Sequence, residues 1–147
     1  FQSEQKIEVA LIQMRRASHL SWEVAKGKLE AGETPRMTAV REVKEEMGCD
    51  ADLSIHSPMG KVRFGFFTPE GKPRLKTMHL FILHSPERFD FVPAGNEGIN
   101  QAAWFDVESV VQKVGHYSLR PLFHRLRKTL KEDLLPQPEE RVEKEEV

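Results

Sequence analysis

The stretch GKLEAGETPRMTAVREVKEEMGC, residues 27–49, decides how the rest of the chain is read. Thr34 followed by Pro35 is a helix start, a hydroxyl N-cap before a proline whose missing N–H costs nothing in the first turn. Gly48 is the matching stop, because the position after a helix favours a left-handed backbone. The spacing predicts a helix over 35–47. At ~100° per residue, Glu42, Glu45 and Glu46 fall near 0°, −60° and +40°, a single ~100° sector. Val43, Val40 and Met47 fall at about 100°, 160° and 140°, a separate stripe that faces the core.

Glutamates clustered on a helix are most simply a solvated acidic face. In water, like-charged pairs at i,i+3 and i,i+4 cost only about 0.2–0.5 kcal/mol each. In a partly buried cleft, the same pairs at ~6 Å repel by roughly 3 kcal/mol each at an effective dielectric of ~20. Such a cluster then needs a cation. Carboxylate oxygens suit a hard divalent ion, most naturally Mg²⁺ that completes its coordination with phosphate oxygens.

The wider pattern separates these readings. From Gly27 the chain reads five residues to Glu33, seven more, then Arg41-Glu42-Val43-x-Glu45-Glu46-x-Gly48-Cys49. This resembles the Nudix box, G-x5-E-x7-R-E-U-x-E-E-x-G-U with U apolar, at every required position. Seven fixed residues at roughly 6% frequency each coincide by chance about once in 10⁸–10⁹ start points. The resemblance implies an α/β fold, a Nudix-type α/β/α sandwich with a mixed sheet between helices. It also implies hydrolysis of a nucleoside diphosphate linked to another moiety, with Mg²⁺ or Mn²⁺. Glu45 and Glu46 match the metal-ligating glutamates, and Glu42 matches a ligand or the water-activating base. The backbone carbonyl of Lys26 is a further ligand by resemblance. Glu33 and Arg41 match a structural pair that pins the glycine loop, Gly27 onward, to the helix that Gly48 ends. Cys49 fills an apolar position and reads as a core thiol.

Two departures from the family pattern stand out. The subgroup with W-x-x-P-K-G before its box has proline where this chain has Ala25. The family sheet usually begins with a glycine-containing strand upstream of the one expected here at 6–14, and little chain precedes residue 6.

Beyond the box, family members take one more carboxylate from a later loop, as metal ligand or base. Glu97 in NEGINQAAWFD matches that place, with Glu87 and Asp90 nearby. Lys61 and Arg63 share a strand face, as do Arg74 and Lys76 on the expected hairpin partner. Cations beside a metal site suit a polyphosphate. Arg63 and Lys76 are the expected substrate-binding pair, followed by Lys26. Tyr117 and Phe67 are candidates to stack on a base. Trp22 and Trp104 read as packing residues, and the six histidines as structural or surface groups.

W-x-x-x-K-G before the box and the K-T-M-H strand at 76–79 resemble the diadenosine and nucleoside polyphosphate hydrolase group. The expected function is therefore a Mg²⁺-dependent pyrophosphohydrolase acting on a nucleoside or dinucleoside polyphosphate. An ADP-ribose or nucleotide-sugar pyrophosphatase, and a non-catalytic nucleotide-sensing module, are the alternatives.

Outward from the box, Ile7, Val9 and Leu11 alternate with Glu8 and Ala10, which predicts a strand over about 6–14 and a loop through Trp22 and Val24. Strands over 52–68 and 74–84 flank the turn TPEGKP. Met78, Leu80 and Ile82 against His79, Phe81 and Leu83 predict a strand buried on both faces. A further strand is expected at 101–105. Leu119, Leu122, Phe123, Leu126 and Leu130 mark a closing amphipathic helix.

The chain has 147 residues and a formal charge of −1, with no apolar run long enough to span a membrane. One cysteine excludes an intrachain disulfide, and the near-zero charge gives no sign of bulk nucleic-acid binding. Residues 139–147 carry five Glu against Arg141 and Lys144, a net of −3 that leaves +2 on residues 1–138. The expected organisation is a domain at 1–135 and an acidic, disordered tail at 136–147. The chain opens at Phe1 rather than methionine, consistent with missing upstream residues, and shows no signal-peptide pattern. A cytoplasmic protein with a small nucleotide substrate is expected, with no DNA or membrane partner and RNA 5′ ends left open.

Overall fold

The computed structural model describes residues 1–3, 6–95, 98–115 and 119–134. In chain order these form β1 (Gln2–Ser3), β2 (Lys6–Arg15), β3 (Leu20–Glu23), α1 (Pro35–Met47), β4 (Ser54–Phe67), β5 (Pro73–His84), β6 (Ile99–Asp106), α2 (Val110–Lys113) and α3 (Arg120–Leu134). The strand β2 is the centre of the main sheet. One edge pairs antiparallel with β6 from Glu8↔Asp106 to Met14↔Ile99, and the other pairs with β1 and β3. A parallel bridge joins Trp22 to Val114.

Period-two alternation along β2 sends its side chains into two cores. Ile7 and Leu11 pack with Val110, Phe123, Leu126 and Leu130 of α2 and α3. Ile12 packs with Met47 and Val43 of α1 and with Ile99 of β6. Helices thus cover both faces of the sheet, the expected α/β/α layering. No helix among the described residues is long and apolar enough to cross a membrane.

The strands β4 and β5 form a separate two-stranded ribbon, in register from Ser54↔His84 to Phe67↔Pro73. Its base packs on α1. An apolar cavity of about 190 Å³ lies between β2, β5, α1 and α3.

Three sequence expectations change here. The segment expected as a loop through Trp22 is the strand β3, which pairs Leu20–Glu23 with Ile12–Arg15. Its most buried residues are Ser21 and Glu23, and Trp22 between them packs on the core only partly buried, so no hydrophobic alternation announces it. Above residue 6, the chain does supply a sheet element, the two-residue β1. The strand β5 is not buried on both faces along its length. Leu80 and Ile82 are buried at the base, but Leu75 is 78% exposed because no described residue covers the outer ribbon.

Candidate active site

The helix α1 has the predicted bounds. Thr34 accepts from the Met37 N–H at 3.3 Å, and Gly48 closes the helix with φ 62° and ψ 49°. Val43 and Met47 anchor one side in the core. The carboxylates emerge on the other, at graded depth: Glu46 is 7% exposed, whereas the Glu42 and Glu45 side chains are 12% and 58% exposed.

Arg41 organises the loop in front of the helix. Its Nε and Nη2 donate to Glu33 Oε2 and Oε1 at 2.8 and 2.9 Å, a bidentate pair, and Nη2 also donates to the Lys28 carbonyl at 3.0 Å. Nη1 donates to Glu42 Oε1 at 2.9 Å and Glu45 Oε2 at 3.1 Å. The Glu33 oxygen Oε1 further accepts from the Glu30 N–H and the Thr38 hydroxyl. The Arg41 hydrogen bond is the main cause that holds the Glu33 carboxyl down at about 2, from an ordinary 4.5. In turn Glu33, and then Glu42, push the Arg41 guanidinium above its ordinary value.

A carboxyl lowered on folding stabilises most above its unfolded value, and that contribution is lost as pH falls through the folded value. The Glu33–Arg41 pair should therefore contribute fully above pH 4.5 and fade toward pH 2. Thermal melts of wild type and Glu33→Gln should differ at pH 6 and converge on acidification through that window. A gap that stays constant from pH 6 to pH 2 would show that the Glu33 charge is not what holds the loop.

Gly27 and Glu46 close the loop against the helix. The Lys26 N–H donates to Glu46 Oε2 at 3.2 Å. A Cβ on residue 27 would lie 1.9 Å from Glu42 Oε1, so any larger residue there would push the Glu42 carboxylate out of its present position. The α1 C-terminus is held by a segment that sequence reasoning missed: the Val92 N–H donates to Met47 O at 3.0 Å and the Ala94 N–H to Glu46 O at 3.4 Å. No local signal marks these residues, since their partners are the last helix carbonyls. The same holds for Arg16, whose Nε donates to the buried Glu23 at 2.8 Å beside the strand leading into the loop.

The donor set suits a hard cation, being all carboxylate oxygen against a glycine backbone. Among the described residues, however, no three acidic, histidine or cysteine groups converge closely enough to hold an ion. The three glutamates share a helix sector as expected, but their side chains part. Glu42 and Glu45 turn to Arg41, and Glu46 turns to the Lys26 N–H.

Other candidates fare differently. Glu97, Tyr117 and the tail at 136–147 lie outside the described residues. Glu87 and Asp90 are exposed. Cys49 is buried, and burial pushes its thiol up, as fits a core residue. Trp22 packs edge-on against Phe105, and Trp104 packs against Phe89 while its indole N–H donates to the Phe89 carbonyl. Phe67 is 76% exposed at the ribbon end.

The expected pair of Arg63 and Lys76 does not share a face. The register sets Arg63 opposite Thr77 and Lys76 opposite Phe64. Directly opposed residues lie on one face and neighbours along a strand alternate, so the two cations point to opposite sides of the ribbon.

A layered α/β domain with a glycine loop held by Arg41 over a carboxylate helix defines a class, the Nudix hydrolase domain. The chain belongs to that family: the NUDIX domain model matches residues 1–126. It is 32% identical over 102 residues to the m7GpppN-mRNA hydrolase dcap-2 of Caenorhabditis elegans, covering 69% of this chain and 12% of that protein. It is 30% identical over 109 residues to the putative mutator protein MutT4 of Mycobacterium tuberculosis, covering 73% and 41%. The chain thus spans less than half the length of these relatives. Among solved structures it resembles the C. elegans Ap4A hydrolase binary complex, with TM-score 0.60 and 25% identity over 85% of this chain and 87% of that one.

Proposed function

We propose that the chain hydrolyses a phosphoric anhydride bond in a nucleoside or dinucleoside polyphosphate. The observation that carries this reading is the complete box folded as one unit, with Arg41 tying Glu33 and the Lys28 carbonyl to the helix that bears Glu42, Glu45 and Glu46. The names of the dcap-2 relative and the Ap4A hydrolase neighbour, both hydrolases of phosphate-linked nucleotides, support it.

Glu42, Glu45 and Glu46 would hold Mg²⁺ or Mn²⁺, with the Lys26 carbonyl and Glu97 as further ligands. When bound, the ion polarises phosphoryl oxygens and lowers the pKa of water. Arg41 keeps the glycine loop in place and donates to both Glu42 and Glu45. Glu42 or Glu97 would orient and deprotonate the attacking water. Lys26, Arg63 and Lys76 would meet phosphate singly, from separate positions.

Outer groups that orient metal ligands are commonly worth 10- to 100-fold in affinity. Arg41→Ala should accordingly raise the Mg²⁺ concentration for half-maximal activity by at least ~10-fold. An unchanged Mg²⁺ titration would remove Arg41 from this supporting role. A substrate panel with Mg²⁺, products identified by mass spectrometry, tests the function itself. Turnover of a dinucleoside tetraphosphate or nucleoside triphosphate is expected. Preference for ADP-ribose would shift the substrate class, and tight binding without turnover would make the chain a sensor.

A further inference from the structure

The outer half of the β4–β5 ribbon is exposed along nearly all its length, and its composition is unlike the rest. Residues 60–77 carry five cations against Glu70 alone, a net of +4, which leaves −5 on the remainder of the chain. Aromatic rings on β4 stand across the ribbon from two of these cations on β5. The register places Phe64 opposite Lys76 and Phe66 opposite Arg74, so these four residues share one face. Phe64 and Phe66 are 39% and 44% exposed. The Lys76 ammonium stands 5.9 Å from the Phe64 ring centroid.

Exposed aromatic rings are costly to leave in water, so such a face marks an interaction site. Its charge decides the occupant. A second copy docked ribbon to ribbon would set +4 against +4. A neutral apolar partner would leave Arg74 and Lys76 desolvated without counter-charge. A column of two rings on β4 beside a column of two cations on β5 matches a polyanion that carries flat bases. Each ring gives a stacking platform and each cation a phosphate contact. The two rings stand two strand rises apart, ~6.7 Å, so each serves a separate base. Only unpaired bases expose a stacking face, and that is the usual form in which RNA is recognised.

We infer that the Phe64–Phe66–Arg74–Lys76 face of the ribbon is a docking surface for single-stranded RNA. Binding here is independent of hydrolysis, so it is tested without turnover: anisotropy of a labelled, unstructured 12-nucleotide RNA with a 5′-hydroxyl, in EDTA. Phe66→Ala should weaken binding roughly 5- to 150-fold, the loss of one stacked base, without changing the slope of log K against log salt. Arg74→Gln should weaken binding and reduce that slope by about 0.7, one phosphate contact on a single strand. Both positions are exposed, and circular dichroism checks that the variants fold. Mononucleotide turnover with Mg²⁺ should match wild type in both, since neither Phe66 nor Arg74 is among the groups proposed to meet substrate phosphate.

No RNA binding, binding that both variants leave intact, or equal affinity for the RNA duplex would each overturn the inference. So would a stronger preference for the matching DNA strand or for phosphatidylserine vesicles, or a ribbon-dependent dimer in sedimentation.

Discussion

Replacing Glu46 by glutamine is expected to lower kcat at least ~10²-fold while the protein stays folded, the usual scale for losing a metal ligand or general base. Of the three helix carboxylates, Glu46 is the most deeply placed, at 7% exposed. Its Oε2 receives the Lys26 N–H, so it meets the glycine loop directly. Glutamine keeps the volume and an oxygen able to accept that hydrogen bond, and it removes one charge from a like-charged cluster. Stability should hold or rise while activity falls. That combination points to chemistry rather than packing. Near wild-type turnover in Glu46→Gln, with an unaltered melting curve, would refute the assignment. A collapse in melting temperature would show instead that the carboxylate serves the fold.

What could be read from the chain depended on how local the determining contacts are. The bounds of α1 were legible because both caps act within a few residues: Thr34 on Met37 and Gly48 on Lys44. The ribbon was legible through TPEGKP, whose turn closes between Thr68 and Lys72. By contrast β3 has only four residues, and its inward Glu23 is tolerated because Arg16 binds it. Burial alone would raise the Glu23 carboxyl, yet the Arg16 hydrogen bond leaves it lowered. Neither fact is visible without the pairing of β2 with β3. The four-residue α2 has no side-chain cap to announce it.

The face of each ribbon cation was equally hidden. Register irregularities between Ile55 and Ser57, and between Pro58 and Gly60, intervene before the outer ribbon. Counting alternate residues along separate strands cannot tell which face of β4 meets which face of β5. The site divides in the same way. The glutamates and their partner Arg41 were legible as a pattern, because the box spaces them along one loop and one helix. That Arg41 draws Glu42 and Glu45 toward itself, and that residues 92–94 clamp the helix end, are three-dimensional facts.

The clamp leads to the largest expected effect on stability. Gly48 sits at φ 62°, where a side chain is strained, and a Cβ there would lie 1.7 Å from the Val92 carbonyl oxygen. The obstacle is backbone, so it cannot swing aside as a side chain would. Moving it threatens the Val92 and Ala94 hydrogen bonds to the Met47 and Glu46 carbonyls. The left-handed geometry costs an L-residue roughly 1–2 kcal/mol, and each lost bond about 1 kcal/mol more. Gly48→Ala should therefore destabilise by about 2–4 kcal/mol, a fall in Tm of roughly 5–15 °C for a domain of this size. Gly48→Asn separates the two causes, because asparagine tolerates the left-handed region but still carries a Cβ. If the collision dominates, Asn should be nearly as damaging as Ala. If Asn restores most of the lost Tm, the dihedral angle is the cause and the clamp is easily displaced. The same segment runs on in sequence toward Glu97, so kcat of Gly48→Ala, measured well below its melting range, should fall as well. Full activity in the folded variant would show that residues 92–94 support the helix end without positioning the loop that follows.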